Sequence, residues 1–578
     1  MLKSSRPVAR AKQARKSAPA VPEGQSQDPR ASVAARLGAW YDSTAGHSLL
    51  SAALFWAALP PLDWWPLAWI APVWWIILVR RPELSGKRPY AEIWLAGFLF
   101  WLGAVHWLRL PHWATSFGWV ALSFYLAFYL PAFIGLARVA VHRLRIPVVI
   151  AAPVVWVGME LLQAHMLTGF SMGSLAHTQY RWLALIQISD LAGFYAVSFL
   201  LVLAAACIAR MVPLEENRRI AFWPLVPLAT GVAATLAYGH MRMLPERPPA
   251  QARIALIQGS IDSELKADPA KQYAVQEHYT DLTSQAVNRF RELDLIVWPE
   301  TMFRGTLLER DATVAIPDDW GDSPEKFEPA LDAAIARSRD ALAAMAARYQ
   351  TPMVLGVDTV RMGADRMRRF NSAVHVSADG RVLARYDKMH LVTFGEYVPF
   401  ADRFAWLQTL TPLPVSLDRG QLPAAFEVNS LRLAPNICFE SVLSHVIRRQ
   451  ITRLAGVGIE PDVLVNLTND GWFWGSSELD MHLACGVFRA VECRKPFVIA
   501  ANTGISAWID GDGKILARGP RRATGVLLAE VGRDPRQSPY LAYGDLPAGL
   551  CLLSCLPLAA IGLHCRWRQR KAGLGKAL

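Results

Sequence analysis

Eight apolar runs constrain this chain more than any other feature. They lie near 47–61, 65–79, 90–108, 119–141, 147–165, 193–213 and 219–239, with a last one near 547–565. About 20 apolar residues in a row cross a bilayer as a helix, because each residue rises about 1.5 Å. The first two runs are short, and Pro60-Pro61 between them marks a tight hairpin. Composition agrees with a polytopic reading. Hydrophobic residues make up 53% of the 578 and charged residues only 19%, too apolar a balance for a soluble protein of this length.

The basic residues orient the spans. The formal net charge is +12, and much of the excess sits in short clusters beside the apolar runs. These are the N-terminal tail, Arg80-Arg81, residues 138–145, Arg210 with Arg218-Arg219, and residues 566–571. With eight spans all five fall on one side, which the positive-inside rule makes cytoplasmic. The expected order is then a disordered basic tail (1–45), a bundle of about seven spans (46–240), an outer domain (251–532), a final span (547–565) and a basic tail (566–578). A secretory signal peptide is the rival reading of the N-terminus, but the long basic stretch and the many later spans favour an uncleaved first span. Trp64, Trp65, Trp69, Trp107, Trp113 and Trp119 suit an outer aromatic belt, and core packing accounts for some of them equally well. No nucleic-acid module is present, so lipid headgroups are the expected partners of the basic clusters.

Between 251 and 532 the pattern changes. Short β-type runs at 253–258, 295–298, 353–357, 373–376, 431–437, 463–467, 497–501 and 526–531 alternate with helical ones. Residues 330–349 read as a long amphipathic helix, and Ser377-Ala-Asp-Gly380 and Asp510-Gly-Asp-Gly513 as hairpin turns. Such alternation points to α/β layers.

Three strand ends carry chemistry. The run 431–437 delivers Cys438, with Glu440 two residues on; the run 295–298 ends in Pro299-Glu300; and Arg385-Tyr-Asp-Lys-Met-His390 is a strand tail carrying Lys388. Alone, Cys438 reads as a small core hydrophobe, Glu300 as a helix cap or surface carboxylate, and Lys388 as a solvated lysine. Together they supply a nucleophile, a base for a thiol that is mostly protonated at neutral pH, and a cation for an oxyanion. Four of the other six cysteines (Cys207, Cys551, Cys555, Cys565) lie in apolar membrane runs. Cys485 and Cys493 are eight apart on an expected helix, about 12 Å by helix rise, and cannot bridge along it. No disulfide framework or metal-type spacing exists, and His278, His390 and His482 read as scattered polar histidines, so neither metal nor cofactor is expected.

These strand ends, in this order, resemble the nitrilase superfamily. Longer blocks narrow the resemblance: 388–400 reads KMHLVTFGEYVPF, 466–475 NLTNDGWFWG, and 488–508 FRAVECRKPFVIAANTGISAW. They look like the superfamily's membrane-embedded branch, the bacterial apolipoprotein N-acyltransferases, and the match runs through the flanking membrane segments. The resemblance implies an αββα sandwich inserted in a membrane bundle, in the inner membrane with the catalytic domain on the periplasmic side. It implies transfer of an acyl chain from a phospholipid, through a thioester on Cys438, to the N-terminal amine of a diacylglyceryl apolipoprotein. Glu300 is then the base and Lys388 the oxyanion and thiolate stabiliser. Glu396, Glu440, Phe439, Asn469 and Trp472 match supporting positions, with Glu440 expected to orient Lys388. Glu160, an intramembrane carboxylate, matches another. Gly169-Phe-Ser-Met-Gly173 and Tyr543-Gly-Asp545 also match. Phe439 stands where relatives often have Tyr, Ala267 where many have Trp, and Gln163 where Arg is usual. Loops 303–327, with Trp320, and 396–420, with Tyr397, Phe400, Phe404, Trp406 and Leu407, are candidate lids; the aromatics either dip into lipid or pack the loops. A monomer is expected. Two other functions fit the same residues: a membrane-tethered amidase that hydrolyses a carbon–nitrogen bond, and a non-catalytic lipid- or lipoprotein-binding protein. An amidase needs no eight-span bundle, and the intact trio counts against a binding protein.

Overall fold

The computed structural model describes residues 42–571 except 215–219, 263–264, 266–267, 318–319, 401–402, 405 and 407–415. Most of the two expected tails, together with Ala267 and Leu407, therefore lies outside the described residues.

The apolar runs become helices: α1 (Thr44–Ala58), α2 (Val73–Arg80), α3 (Pro89–Ala104), α4 (Thr115–Leu126), α5 (Tyr129–His142), α6 (Val148–His165), α7 (Tyr195–Met211), α8 (Leu225–Arg242) and a C-terminal helix, Leu546–Lys571. Among the described residues only three stretches are long and apolar enough to cross a membrane: Thr115–His142, Val148–His165 and Leu546–Lys571. A fourth counts if Leu183–Ala192 and Tyr195–Met211, bent by 117°, form one broken span. By length and composition three of the eight expected spans are full-length helices, or four with the bent pair, and the others fall short. The cause is length and polarity. Helix α1 has 15 residues and α3 has 16, about 22–24 Å by helix rise against a hydrocarbon core of about 30 Å. Helix α8 ends in His240 and Arg242. The C-terminal helix returns to the bundle against α6, so closely that a Cβ on Gly158 would lie 2.9 Å from the Cys551 carbonyl oxygen. Small residues at such crossings are what let helix backbones meet in lipid.

The segment between is two sheets packed face to face. The first runs in the order β13 (Gly525–Val531), β1 (Ala252–Gln258), β2 (Leu295–Val297), β4 (Met353–Met362), β5 (Met367–Val376), β6 (Val382–Asp387), with β3 (Thr306–Arg310) beside β4. The second runs β12 (Ile515–Arg518), β11 (Ala507–Ile509), β10 (Phe497–Ala501), β9 (Val463–Thr468), β8 (Leu431–Ile437), β7 (Phe426–Val428). Strands β1 and β2, and β8, β9 and β10, are parallel. Side chains alternate across each strand: Ile254, Leu256, Leu433, Val463, Val465 and Val498 fill the space between the sheets. The opposite side of the first sheet, with Ala255, Ile257 and Leu355, packs on α9 (Gln272–Arg289) and α10 (Pro324–Tyr349). The expected loop 303–327 contains β3 and the start of α10, which removes it as a wholly irregular lid.

The outer side of the second sheet, with Leu464 and Ile499, packs on α11 (Ser444–Ala455) and α12 (Glu478–Cys493), and this layer is continuous with the bundle core. Helix α12 is buried at every position but Asp480 because it lies between sheet and bundle. Trp107, expected in an aromatic belt, is buried here instead, with its ring 4.9 Å from that of Phe473. A buried carboxylate pins the junction. Asp190 accepts hydrogen bonds from Arg494 at 2.6 Å, Arg242 at 2.8 Å and Tyr238 at 2.6 Å, and neither Asp190 nor the Arg494 side chain is exposed. Removing one partner of a buried pair strands the other charge, at a cost of about 3–5 kcal/mol. Asp190→Ala should therefore lower the melting temperature in detergent, and adding Arg494→Met should restore part of the loss. A double variant as unstable as the sum of the singles would mean the pair does not join the two layers.

Candidate active site

The strand β8 ends abruptly. Cys438 has φ +53°, left-handed backbone that costs a non-glycine residue about 1–3 kcal/mol, and the chain then enters the one-turn helix Cys438–Val442. Glu440 secures this turn. Its carboxylate accepts from the Ile437 amide at 2.7 Å, from the Tyr386 hydroxyl at 2.8 Å, and from the Met389 and His390 amides at 2.9 Å. One fully buried side chain thus ties the end of β8 to the residues just after Lys388. Glu440 holds that backbone and makes no hydrogen bond to the Lys388 ammonium. Burial pushes its carboxyl up, and the surrounding donors and the Lys388 charge oppose the shift.

Lys388 follows β6 and is 1% exposed. Its Nζ donates to Glu396 Oε1 at 2.7 Å and lies 3.4 Å from Glu300 Oε1. Burial favours the neutral amine, but the Glu396 and Glu300 carboxylates and the Cys438 sulfur outweigh it and hold Lys388 well above the ordinary lysine range. It stays an ammonium. Glu396 is fixed in turn by the Val392 amide, which donates to Oε2 at 2.9 Å.

Glu300 follows β2 and Trp298-Pro299, with 7% exposure. Its Oε1 also accepts from Asn371 Nδ2 at 2.6 Å, and its Oε2 from the Asn469 amide at 2.9 Å. The backbone here runs close to β4: a Cβ on Gly356 would lie 2.1 Å from the Pro299 carbonyl oxygen and 2.8 Å from Glu300 Cα. The half-buried Cys438 thiol feels all of this. Burial and the Glu300 charge push its pKa well up, while Lys388 and a hydrogen bond with the Thr468 hydroxyl pull it down.

The structure brings Glu300, Lys388, Cys438, Glu396, Glu440 and Asn469 together. Asn469 contributes its amide to Glu300, while its side-chain oxygen accepts from Asn502 at 2.8 Å. Phe439 stacks on His390 with centroids 6.3 Å apart. Trp472 is half-buried on the turn Asp470–Phe473. Glu160 is elsewhere, in the bundle: it accepts from Ser174 at 2.5 Å and Ser198 at 3.0 Å and lines a cavity of about 80 Å³. Gln163 donates to the Phe170 carbonyl at 3.1 Å. Phe404 and Trp406 are exposed, as is Phe400. Cys485 and Cys493 are buried in α12.

Sequence reasoning missed Asn371, Tyr386, Thr468 and Asp470, and read His482 as a scattered polar histidine. His482 is buried, 3.2 Å from Asp470 and 2.7 Å from Ser441. An asparagine inside an apolar run, such as Asn436 in β8, was a usable signal, since a buried amide needs a partner; here Asn466 donates to it at 2.7 Å.

Family models match residues 51–207 as an apolipoprotein N-acyltransferase N-terminal domain and residues 253–538 as a carbon-nitrogen hydrolase. An apolipoprotein N-acyltransferase of Rhodopirellula baltica is 32% identical over 86% of this chain and 93% of its own length. One from Geobacter metallireducens is 33% identical over 89% and 95%, and one from Vibrio cholerae 29% identical over 89% and 95%.

The close approach at Gly356 gives a sharp test. An added methyl must push the Pro299-Glu300 backbone away, so Gly356→Ala should misplace Glu300. Turnover should fall about a hundredfold, the order expected for a 1 Å displacement of a reacting group. Activity assays on folded variant measure it, and unchanged turnover would mean that Glu300 tolerates displacement.

Proposed function

The chain belongs to the apolipoprotein N-acyltransferase family, and from that premise we propose how its own residues carry out N-acylation of lipoproteins. The observation that carries the reading is the convergence of Cys438, Glu300 and Lys388, with the Lys388 ammonium held between two carboxylates. Cys438 Sγ attacks the acyl ester carbonyl of a phospholipid while Glu300 takes the thiol proton. Lys388 stabilises the oxyanion of the tetrahedral intermediate. Collapse expels the lysophospholipid alkoxide, which takes the proton from Glu300, and leaves an acyl thioester on Cys438. The α-amine of a diacylglyceryl-cysteine N-terminus then attacks the thioester. Glu300 accepts the amine proton, the thiolate leaves, and the proton returns to it. This is a ping-pong sequence with one base serving both halves.

The setting follows from the substrates. Both are lipids, so an inner-membrane location with the sandwich on the periplasmic side places donor, acceptor and site in one leaflet. We take the eight helical stretches as eight crossings, the short ones spanning with the help of neighbours, and the protein as a monomer. The sandwich and bundle share one core, which supports a reaction at the membrane over a tethered amidase or a binding protein.

Three experiments test this. Mass spectrometry of a lipoprotein N-terminus should show a third acyl chain in cells that make the protein and none in cells that lack it. Cys438→Ser should lower transfer by about a thousandfold or more, as removing a nucleophile does, with no acyl-enzyme detectable; full turnover by that variant would sink the assignment. Reporter fusions at Arg81 and Arg145 should read as cytoplasmic and a fusion at Gly259 as external. A cytoplasmic signal at Gly259 would overturn both the topology and the lipoprotein substrate.

A further inference from the structure

The turn that presents Cys438 is also tied from behind, by groups that the chemistry above does not use. The Cys438 carbonyl accepts from Ser441 Oγ at 3.0 Å and from Asn466 Nδ2 at 3.2 Å. Ser441 Oγ lies 2.7 Å from His482 Nε2. His482 Nδ1 lies 3.2 Å from Asp470 Oδ1, and the same oxygen accepts from Thr468 Oγ1 at 2.7 Å. The Thr468 hydroxyl also acts on the Cys438 thiol, pulling its pKa down. The chain of contacts therefore runs from the Cys438 carbonyl to a hydroxyl that acts on its sulfur. Ser441, Thr468, Asp470 and His482 are all at most 4% exposed.

Counting protons fixes the charge along these contacts. A serine hydroxyl has one proton, and Ser441 spends it on the Cys438 carbonyl, so Ser441 Oγ must accept from His482 Nε2–H. A carboxylate can only accept, so Nδ1 must donate to Asp470. A histidine that donates from both nitrogens is an imidazolium. Burial opposes that charge, but Asp470 outweighs burial and raises the His482 pKa, with the Glu300 charge in support. The other carboxyl facing His482 is Glu478, whose Oε1 is 3.9 Å from Nδ1. Burial and the Asp470 charge push the Glu478 carboxyl up, with Asp480 in support and Arg521 opposing. Asp470, Glu478 and His482 offer ligand atoms within 4.8 Å of one another, yet with both imidazole nitrogens donating no lone pair is left for a metal.

We propose that Asp470 and His482 are a charged positioning pair for the nucleophile, holding the left-handed Cys438 turn through Ser441 and preparing its thiolate through Thr468. The inference rests on the role of Cys438 proposed above. While Cys438 is a thiol, its S–H points to Thr468 Oγ1 and the Thr468 proton points to Asp470. When Glu300 removes the thiol proton, Thr468 turns its single proton to the sulfur, and the imidazolium keeps Asp470 from being left without a donor.

The test uses the full-length protein in lipid micelles. Cys438 is alkylated with iodoacetamide between pH 6 and 10 and followed by mass spectrometry of its peptide, beside kcat and KM for a phospholipid donor. His482→Gln keeps a donor for Ser441 but no charge, and Asp470→Asn removes the anion. His482→Gln leaves the Asp470 charge uncompensated beside the thiol and should slow alkylation about tenfold at neutral pH, equivalent to raising the thiol pKa by about one unit. Asp470→Asn also removes a charge that pushes the thiol pKa up, and should slow it less. Both should lower kcat with KM unchanged. The sign with pH is fixed. A raised histidine pKa means the charge is present below it and lost as pH rises through it, so the gap between wild type and variants should close at alkaline pH. An alkylation profile that does not move, with kcat or stability reduced, would overturn the proposal and leave the pair a packing element. If either variant does not fold, Ser441→Ala, which leaves the ion pair intact, decides: slowed alkylation supports the link to the Cys438 carbonyl, and a wild-type profile overturns it. Alkylation needs no acyl transfer, so a shifted profile in a protein without transferase activity would spare this pair and remove the proposed function instead.

Discussion

The buried ammonium of Lys388 organises the catalytic end of the sandwich. Burying a cation costs several kcal/mol unless fixed counter-charges surround it. Two carboxylates do so, and each is fixed independently: Glu300 by Asn371 and the Asn469 amide, Glu396 by the Val392 amide. The backbone beyond Lys388 is held by Glu440, the side chain that also anchors the nucleophile turn. Displacing any of these leaves a buried charge without its partner. The arrangement has a chemical consequence. Moving a proton from Cys438 to Glu300 changes the net charge of the cluster not at all, so the step requires no ion to enter or leave a buried site.

The bundle does more than tether the sandwich. The Val442 carbonyl, at the end of the Cys438 turn, accepts from Ser171 of the loop after α6 at 2.8 Å and from Arg489 of α12 at 3.1 Å. Arg489 is paired with Glu492 at 2.8 Å, both fully buried, and Glu492 accepts the Phe194 amide at 2.8 Å. Membrane loops therefore reach the backbone that carries Cys438 without a flexible linker. In the function proposed above, packed residues rather than a linker then set where Cys438 sits relative to the bundle.

The strand ends were legible because an apolar run stops where burial stops: β8 and β10 have the bounds that their composition implies. The converging Glu300, Lys388 and Cys438 follow from three such ends. What was hidden has physical causes. Strand β5 begins at Met367, in Met-Arg-Arg-Phe, where the β4–β5 hairpin projects its arginines into solvent; the polar sequence reads as loop, and Asn371 went unnoticed in mid-strand. The contacts among Ser441, Thr468, Asp470 and His482 join residues from a strand, two turns and a helix, and spacing along the chain carries no trace of them. The run at 119–141 was visible but its division into α4 and α5 was not, since that break falls at Ala127 and Phe128, inside an apolar stretch.

For the base role proposed for Glu300, its hydrogen bonds favour one carboxylate oxygen over the other. A carboxylate offers about four acceptor positions, two on each oxygen. Oε1 faces Asn371 and Lys388, while Oε2 receives only the Asn469 amide. The free position is on Oε2. A proton from Cys438, and later one from the incoming amine, can bind there without displacing the ammonium or the asparagine. In the proposed mechanism the base then keeps one orientation through both half-reactions, and the Cys438 thiol and the acceptor amine present their protons to the same point. The thiol and the amine are chemically different, but the geometry asks the same of each.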